Sequence, residues 1–123
     1  MRLIVAGSRY LDDYALVSDT LDHLLQEFDP EDIECILCGK AKGADTFGEW
    51  YGTHHGIPIT YYPADWDKYG KSAGYRRNAD MAKNATHLVA FWDGESKGTK
   101  HMIDLAHKHG LEVTVIQYII HTN

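Results

Sequence analysis

Apolar residues along the chain keep two alternating rhythms. Short apolar-rich runs occupy Arg2–Ala6, Ile33–Cys38, Ile57–Tyr62, Thr86–Trp92 and Glu112–Gln117, and Leu3 to Ala6 and Leu88 to Phe91 are apolar at every position. A run that is apolar at every position, rather than at every second one, predicts a strand buried on both faces, as in a parallel sheet. Between the runs the spacing becomes helical. Val17, Leu21, Leu24, Leu25 and Phe28 form one stripe, led in by Asp12 and Asp13 and closed near Pro30. Acids in a first turn and proline beyond a last one are the expected boundary signals. A second stripe holds Phe47, Trp50, Tyr51 and His54 and ends at Gly56, and a third helix is predicted over Tyr75–Ala85. The fourth buries Met102, Ile103 and Ala106 and stops at Gly110, with His107, Lys108 and His109 in its last turn.

Five strands alternating with four helices predict an open parallel α/β sheet with helices on both faces, a single three-layer domain over residues 1–123. Pro58 is acceptable at the start of its strand or on an edge. Pro63–Gly74 reads as the longest irregular piece, about 12 residues, a length that points to function or disorder. Trp66 and Tyr69, interleaved there with lysines, have the chemistry to stack on a base. A loop packing its tryptophan onto the domain is the equal alternative. The apolar tail, Tyr118 to Asn123, is expected to extend the last strand or meet a neighbouring subunit.

Composition narrows the class. At 123 residues and 44% hydrophobic, the chain suffices for one real core. No apolar run approaches the roughly 20 residues that span a bilayer, and no signal-peptide segment opens the chain. A soluble cytoplasmic protein is expected, in the host cytoplasm if virus-encoded. Cys35 and Cys38 make a C-x-x-C, but in a strand residues three apart face opposite sides, so two buried free thiols are expected rather than a disulfide or a shared metal. A reducing compartment fits them.

Charge is distributed unevenly. The net charge of -6 argues against a nucleic-acid-coating protein. Tyr10 to Gly39 contains nine acids and no Lys or Arg, whereas nine of the 12 bases fall in or after the turns that follow strands: Arg9, Lys40, Lys42, Lys68, Lys71, Arg76, Arg77, Lys97 and Lys100. Any one surface lysine is ordinary solvation. Nine at one topological location predict a focused positive mouth for a small anionic ligand.

The corners themselves suit an anion. Asp93-Gly94-Glu95-Ser96-Lys97-Gly98-Thr99-Lys100 leaves the fourth strand and opens a helix, whose first amides lack partners. Gly39-Lys40-Ala41-Lys42-Gly43-Ala44-Asp45 repeats the arrangement after the second strand. In open parallel sheets ligands bind outside the carboxyl ends of the strands, at the switch in strand order. The corners at Gly7, Gly39, Asp65 and Asp93 all fall on that edge. No metal is expected: His54, His55, His101, His107 and His109 have no partner set of cysteines or carboxylates. Asp65 and Asp67 have the chemistry to hold Mg²⁺ beside a phosphate, but shaping the turn or pairing with Lys68 and Lys71 accounts for them more simply.

Five ordered motifs carry a family resemblance: Ala6-Gly7-Ser8-Arg9, Gly39 to Asp45, Pro63-Ala64-Asp65-Trp66, Arg77-Asn78 and Ser96-Lys97-Gly98-Thr99. Over about residues 2–117 the chain resembles the YspA-like branch of the SLOG superfamily, which also contains the Lonely Guy cytokinin-activating phosphoribohydrolases and the DprA DNA-processing proteins. The resemblance implies a Rossmann-like fold, a nucleotide or nucleotide-derived ligand and a homodimer or higher homo-oligomer. In the Lonely Guy turn, Gly-Gly-x-Gly-Thr-x-x-Glu, glycines and threonine hold phosphate and the glutamate assists cleavage of the N-glycosidic bond. Here Gly98 and Thr99 match, Ser96 replaces a glycine, the glutamate position is Met102, and Arg77 is the counterpart of a catalytic arginine. Losing that carboxylate removes an effect typically worth ~10²–10⁴ in rate. Asp104, about 200° round the helix from Met102, is a poor substitute. Asp45 or Asp65 is the remaining candidate.

Three functions follow. The first is a binding module that senses or sequesters a nucleotide or cyclic ADP-ribose-like signal, as SLOG-type domains do in nucleotide signalling and phage defence. In it Gly7, Ser8, Gly98 and Thr99 cradle phosphate, Arg9, Lys42 and Arg77 neutralise it and Trp66 stacks on the base, with Gly39, Gly43, Asp45, Asp65, Asn78, Asp93, Ser96 and Lys97 completing the site. The second is a nucleoside-monophosphate N-glycosidase using Arg77 with Asp45 or Asp65. The third, a DprA-like nucleic-acid binder, is opposed by the acidic balance.

Overall fold

The computed structural model describes residues 1–39 and 43–118. Its sheet is built from β1 (Arg2–Gly7), β2 (Cys35–Cys38), β3 (Ile59–Tyr61), β4 (His87–Trp92) and β5 (Glu112–Gln117), all parallel, in the order β3-β2-β1-β4-β5. This is the expected open parallel α/β architecture, Rossmann-like, with a change of direction between β1 and β4. The continuous apolar runs do what their pattern dictates: β2 is buried throughout, and β1 and β4 are buried at their four central positions. Strands β3 and β5 lie on the edges and are partly exposed.

Helices α1 (Tyr14–Leu25) and α2 (Ala44–His55) cover one face of the sheet. Val17, Leu21, Phe47 and Tyr51 meet Leu3, Val5, Ile36 and Phe91 there. The other face carries α4 (Ala73–Asn84) and α5 (Lys97–Lys108), following the single-turn helix α3 (Trp66–Tyr69). Met81, Ala82, Met102, Ile103 and Ala106 pack on Ile4, Leu37, Leu88 and Ala90. Cys35 lies with that second layer, while the Cys38 thiol reaches the Asp45 carbonyl of α2, 3.6 Å away, so the two cysteines do face opposite sides and neither is in a disulfide.

Several boundaries differ from the sequence expectation. Pro63–Gly74 is irregular only as far as Asp65 and helical from Trp66 on. The Asp65 carboxylate accepts the Lys68 amide at 3.1 Å, which caps α3, and Gly70–Ser72 continues as a 3₁₀ turn into α4. Helix α4 therefore starts at Ala73 rather than at Tyr75. Strand β2 starts at Cys35 rather than Ile33, because Pro30–Asp32 forms a 3₁₀ turn in which Ile33 donates to the Pro30 carbonyl at 3.3 Å. Strand β3 is three residues long, starting after Pro58, which has no amide to pair. Phe28 lies beyond α1 and rests edge-on against His87, with ring centroids 5.9 Å apart. No described helix is long and apolar enough to cross a membrane. Of the tail, only Tyr118 falls within the described residues, its amide bonded to the Trp92 carbonyl at 3.2 Å.

Candidate functional site

The carboxyl ends of β1 and β4 open onto a cavity of about 460 Å³, at the switch in strand order. Gly7, Ser8 and Arg9 form one wall, Asp93, Ser96, Gly98 and Thr99 the opposite one, and Asp45, Arg77 and Asn78 close the sides. Ile4, Ala6, Met81 and Met102 make an apolar floor. A cavity of that size with an apolar floor and a few convergent polar groups is what a small-molecule site requires.

The turn after β4 is held from within. Asp93 accepts the Glu95 and Ser96 amides at 2.9 and 2.8 Å, Gly94 takes φ +86, and the Trp92 indole donates to the Ser96 carbonyl at 3.1 Å. Ser96 then caps α5, accepting the Thr99 amide at 3.3 Å, and its hydroxyl lies 3.0 Å from that of Thr99. Among the described residues no partner meets the Lys97 and Gly98 amides. Those two orphan donors at the positive end of α5 are where an anion is best received. Gly98 leaves them accessible, for a Cβ there would meet nothing within 4 Å.

The wall opposite is set by backbone proximity. A Cβ on Gly7 would fall 2.7 Å from the Phe91 carbonyl and 2.8 Å from the Ala44 side chain, so glycine lets β1, β4 and α2 converge. Gly43, which precedes α2, lies against the Ser8–Arg9 backbone. Ser8 is buried, and its hydroxyl accepts the Tyr10 amide at 3.1 Å. The hydroxyls of Ser8, Ser96 and Thr99 are thus already engaged by the protein, and the open amides are the freer donors.

Arg77 reaches in from α4. Its guanidinium donates to the Gly39 carbonyl at 2.5 Å and to Asn78 Oδ1 at 2.9 Å, and both it and the Asp45 carboxylate lie beside the Gly39 Cα. Arg9 donates to the Tyr10 hydroxyl at 2.9 Å. The Tyr118 hydroxyl is buried, and burial pushes it above the ordinary tyrosine range. The Ser8 side chain, close enough to pull the other way, lies outside hydrogen-bond geometry.

The cavity therefore gathers Gly7, Ser8, Arg9, Asp45, Arg77, Asn78, Asp93, Ser96, Gly98 and Thr99 of the residues singled out in the sequence. Gly39 contributes a carbonyl to Arg77. Asp65 is spent on capping α3 and does not line the cavity, Lys97 lies on the outer side of α5, and Trp66 stands on a neighbouring shelf. Lys42 lies outside the described residues. The positive mouth is more mixed than the sequence suggests: two arginines face Asp45, Asp93 and Glu95. Tyr10, Met81 and Glu95 were not foreseen, because nothing along the chain marks which residue of a turn or helix will face a cavity formed by distant segments. Met102, at the position of the Lonely Guy glutamate, is only 2% exposed. Among the described residues no group of three or more His, Cys, Asp or Glu is arranged to hold a metal.

The family model for YspA, cpYpsA-related SLOG proteins matches residues 1–69, the part that carries β1, β2, β3 and the Gly7 wall. The gene 61 protein of Mycobacterium phage D29 is 34% identical over 118 residues, covering 91% of this chain and 93% of that protein. No solved structure matches. With the family pattern over more than half its length and this full-length likeness to a phage protein, the chain belongs to the YspA, cpYpsA-related SLOG family.

Proposed function

We propose that this protein binds a nucleotide or nucleotide-derived signalling molecule in the β1/β4 cavity and senses or sequesters it. The observation that carries this is the convergence, around one cavity, of Arg77 and Arg9 with Gly98 at the N-terminus of α5, where the Lys97 and Gly98 amides meet no partner among the described residues. A phosphate at the α5 N-terminus is stabilised by those amides and the helix dipole, and Arg77 supplies the charge-assisted bonds. The sugar then lies over Gly7 and Ser8, and the base finds the apolar floor of Ile4, Met81 and Met102. No metal is required by this arrangement.

Likeness to a phage protein supports a virus-encoded product acting in the cytoplasm of a bacterial host, where capturing a nucleotide signal would blunt host defence. The family resemblance supports a homo-oligomer. The test is a melting-temperature and calorimetric survey with nucleoside monophosphates and cyclic ADP-ribose-type compounds. A rise of several degrees with at least one of them is expected, and a flat response to all of them overturns the proposal.

A second reading, nucleoside-monophosphate N-glycosidase, is favoured by one observation: the Asp45 carboxylate and the Arg77 guanidinium border the same cavity. Buried Met102 withholds a carboxylate from the α5 side, which leaves Asp45 to stabilise an oxocarbenium-like charge. Chromatography for free base after incubation with the same monophosphates separates the two. Binding without release of base supports the first reading, and release abolished by Asp45→Asn supports the second.

A further inference from the structure

The cavity does not end at its Gly98 wall. Arg77, Asn78 and Gly98 line it on one side, and the same three residues line a shallower recess of about 240 Å³ bounded by Trp66, Lys71 and Tyr75. Tyr75 borders a third recess as well, with Lys97 and Lys100. Gly98 sits where the first two meet, and the absence of a side chain there keeps them joined.

The shelf has the chemistry of a second nucleotide. Trp66 is 60% and Tyr75 50% exposed, two large aromatic faces presented to solvent beside lysines in an otherwise acidic chain. Tyr75 is set in place from behind: its ring meets His101 edge-on with centroids 4.5 Å apart, and His101 Nδ1 lies 3.4 Å from Asn78 Nδ2. An aromatic ring held in one orientation loses little on stacking a base, and neighbouring lysines suit the linking phosphate.

Resting on the nucleotide reading above, we propose that the ligand is a dinucleotide, two nucleotide units joined through phosphate. The first unit occupies the cavity with its phosphate at the α5 N-terminus. The second passes Gly98 and lays its base on Trp66 or Tyr75. The track is short, because Lys100 at its far end is already paired with Asp104 at 2.9 Å, and the net charge of -6 opposes a longer strand.

Calorimetry on the full chain with the four nucleoside 5′-monophosphates, the matching 5′-phosphorylated dinucleotides and a 12-nucleotide single strand tests this. The dinucleotide is expected to bind at least about tenfold tighter than its mononucleotide, the size of one base–aromatic stack. Trp66→Ala and Tyr75→Ala are expected to shrink that ratio towards one without lowering the melting temperature, since both side chains are half exposed or more. Equal affinity for one unit and two overturns the inference and leaves the proposed function standing. A 12-nucleotide strand binding tenfold tighter than the dinucleotide also overturns it, in favour of a nucleic-acid strand. Failure of all of these and of the cyclic ADP-ribose-type compounds removes both readings.

Discussion

Arg77 and Gly39 are joined by a 2.5 Å hydrogen bond from the guanidinium to the backbone carbonyl, across 38 positions of sequence. The bond ties α4, on one face of the sheet, to the carboxyl end of β2, and it fixes the guanidinium at the cavity wall. One side chain therefore both fastens the site and charges it.

Replacing Arg77 by Met is expected to act twice. A partly buried carbonyl left without its donor costs about 1–3 kcal/mol of stability, read as a lower urea midpoint. Nucleotide affinity should fall tenfold or more, read by calorimetry. Arg77→Lys keeps the charge but not the planar fork, so it should recover only part of the affinity.

Two glycines of the cavity have opposite roles, and substitution separates them. Gly7→Val drives a side chain into the Phe91 carbonyl and the Ala44 side chain, so it should overpack the β1–β4–α2 junction by about 1–3 kcal/mol, a fall of several degrees in melting temperature. Gly98→Leu projects into open space. It should leave the melting temperature within a degree or two of the parent while abolishing nucleotide binding. A normal affinity in Gly98→Leu would remove the cavity from the argument.

The turn after β4 is braced by Asp93 and Ser96, and each brace can be removed. Ser96→Ala should cost about 1 kcal/mol, the usual value of a helix cap, and Asp93→Ala, which frees two amides, somewhat more. Both are expected to weaken phosphate affinity as well, because the Lys97 and Gly98 amides lose their fixed direction. Chemical denaturation and calorimetry read the two effects independently.

His87 gives the fold an acid sensitivity. Burial lowers its pKa below the ordinary value of about 6.5, with Glu112 pulling the other way. The folded state thus prefers the neutral ring. That contribution is complete above about pH 6.5 and is lost as pH falls through the lower folded value. Melting temperature should therefore drop between pH 7 and pH 5 by more in the parent than in His87→Asn. Equal drops would show that His87 plays no part.

Much of the fold could be read from the chain because its signals are local and strong. Four consecutive apolar positions in β1 and in β4, too short a run for a buried helix, point to central strands, which are buried there, and the polar corners then fall on one edge by topology. Pro63–Gly74 was harder, since the cap that makes α3 is one Asp65 carboxylate among other acids and aromatics, with no apolar period to announce it. The site was partly legible for the same reason. Glycines and hydroxyls at strand ends mark Gly7, Ser8, Gly98 and Thr99, whereas Tyr10, Met81 and Glu95 join the cavity only through the angles at which separate elements meet. Charge misled in degree: bases cluster after strands in sequence, yet Lys97 and Lys100 point to the outer side of α5.

The opposed thiols of β2 offer a use beyond the site. Cys35, 9% exposed, packs with the layer of α4 and α5, and Cys38, 2% exposed, lies against α2, so each thiol is largely covered while its own layer is seated. Alkylation followed by mass spectrometry should then time the lifting of each layer separately, two clocks set into one strand. A bound nucleotide, bridging β1, α4 and α5, is expected to slow the Cys35 clock more than its neighbour.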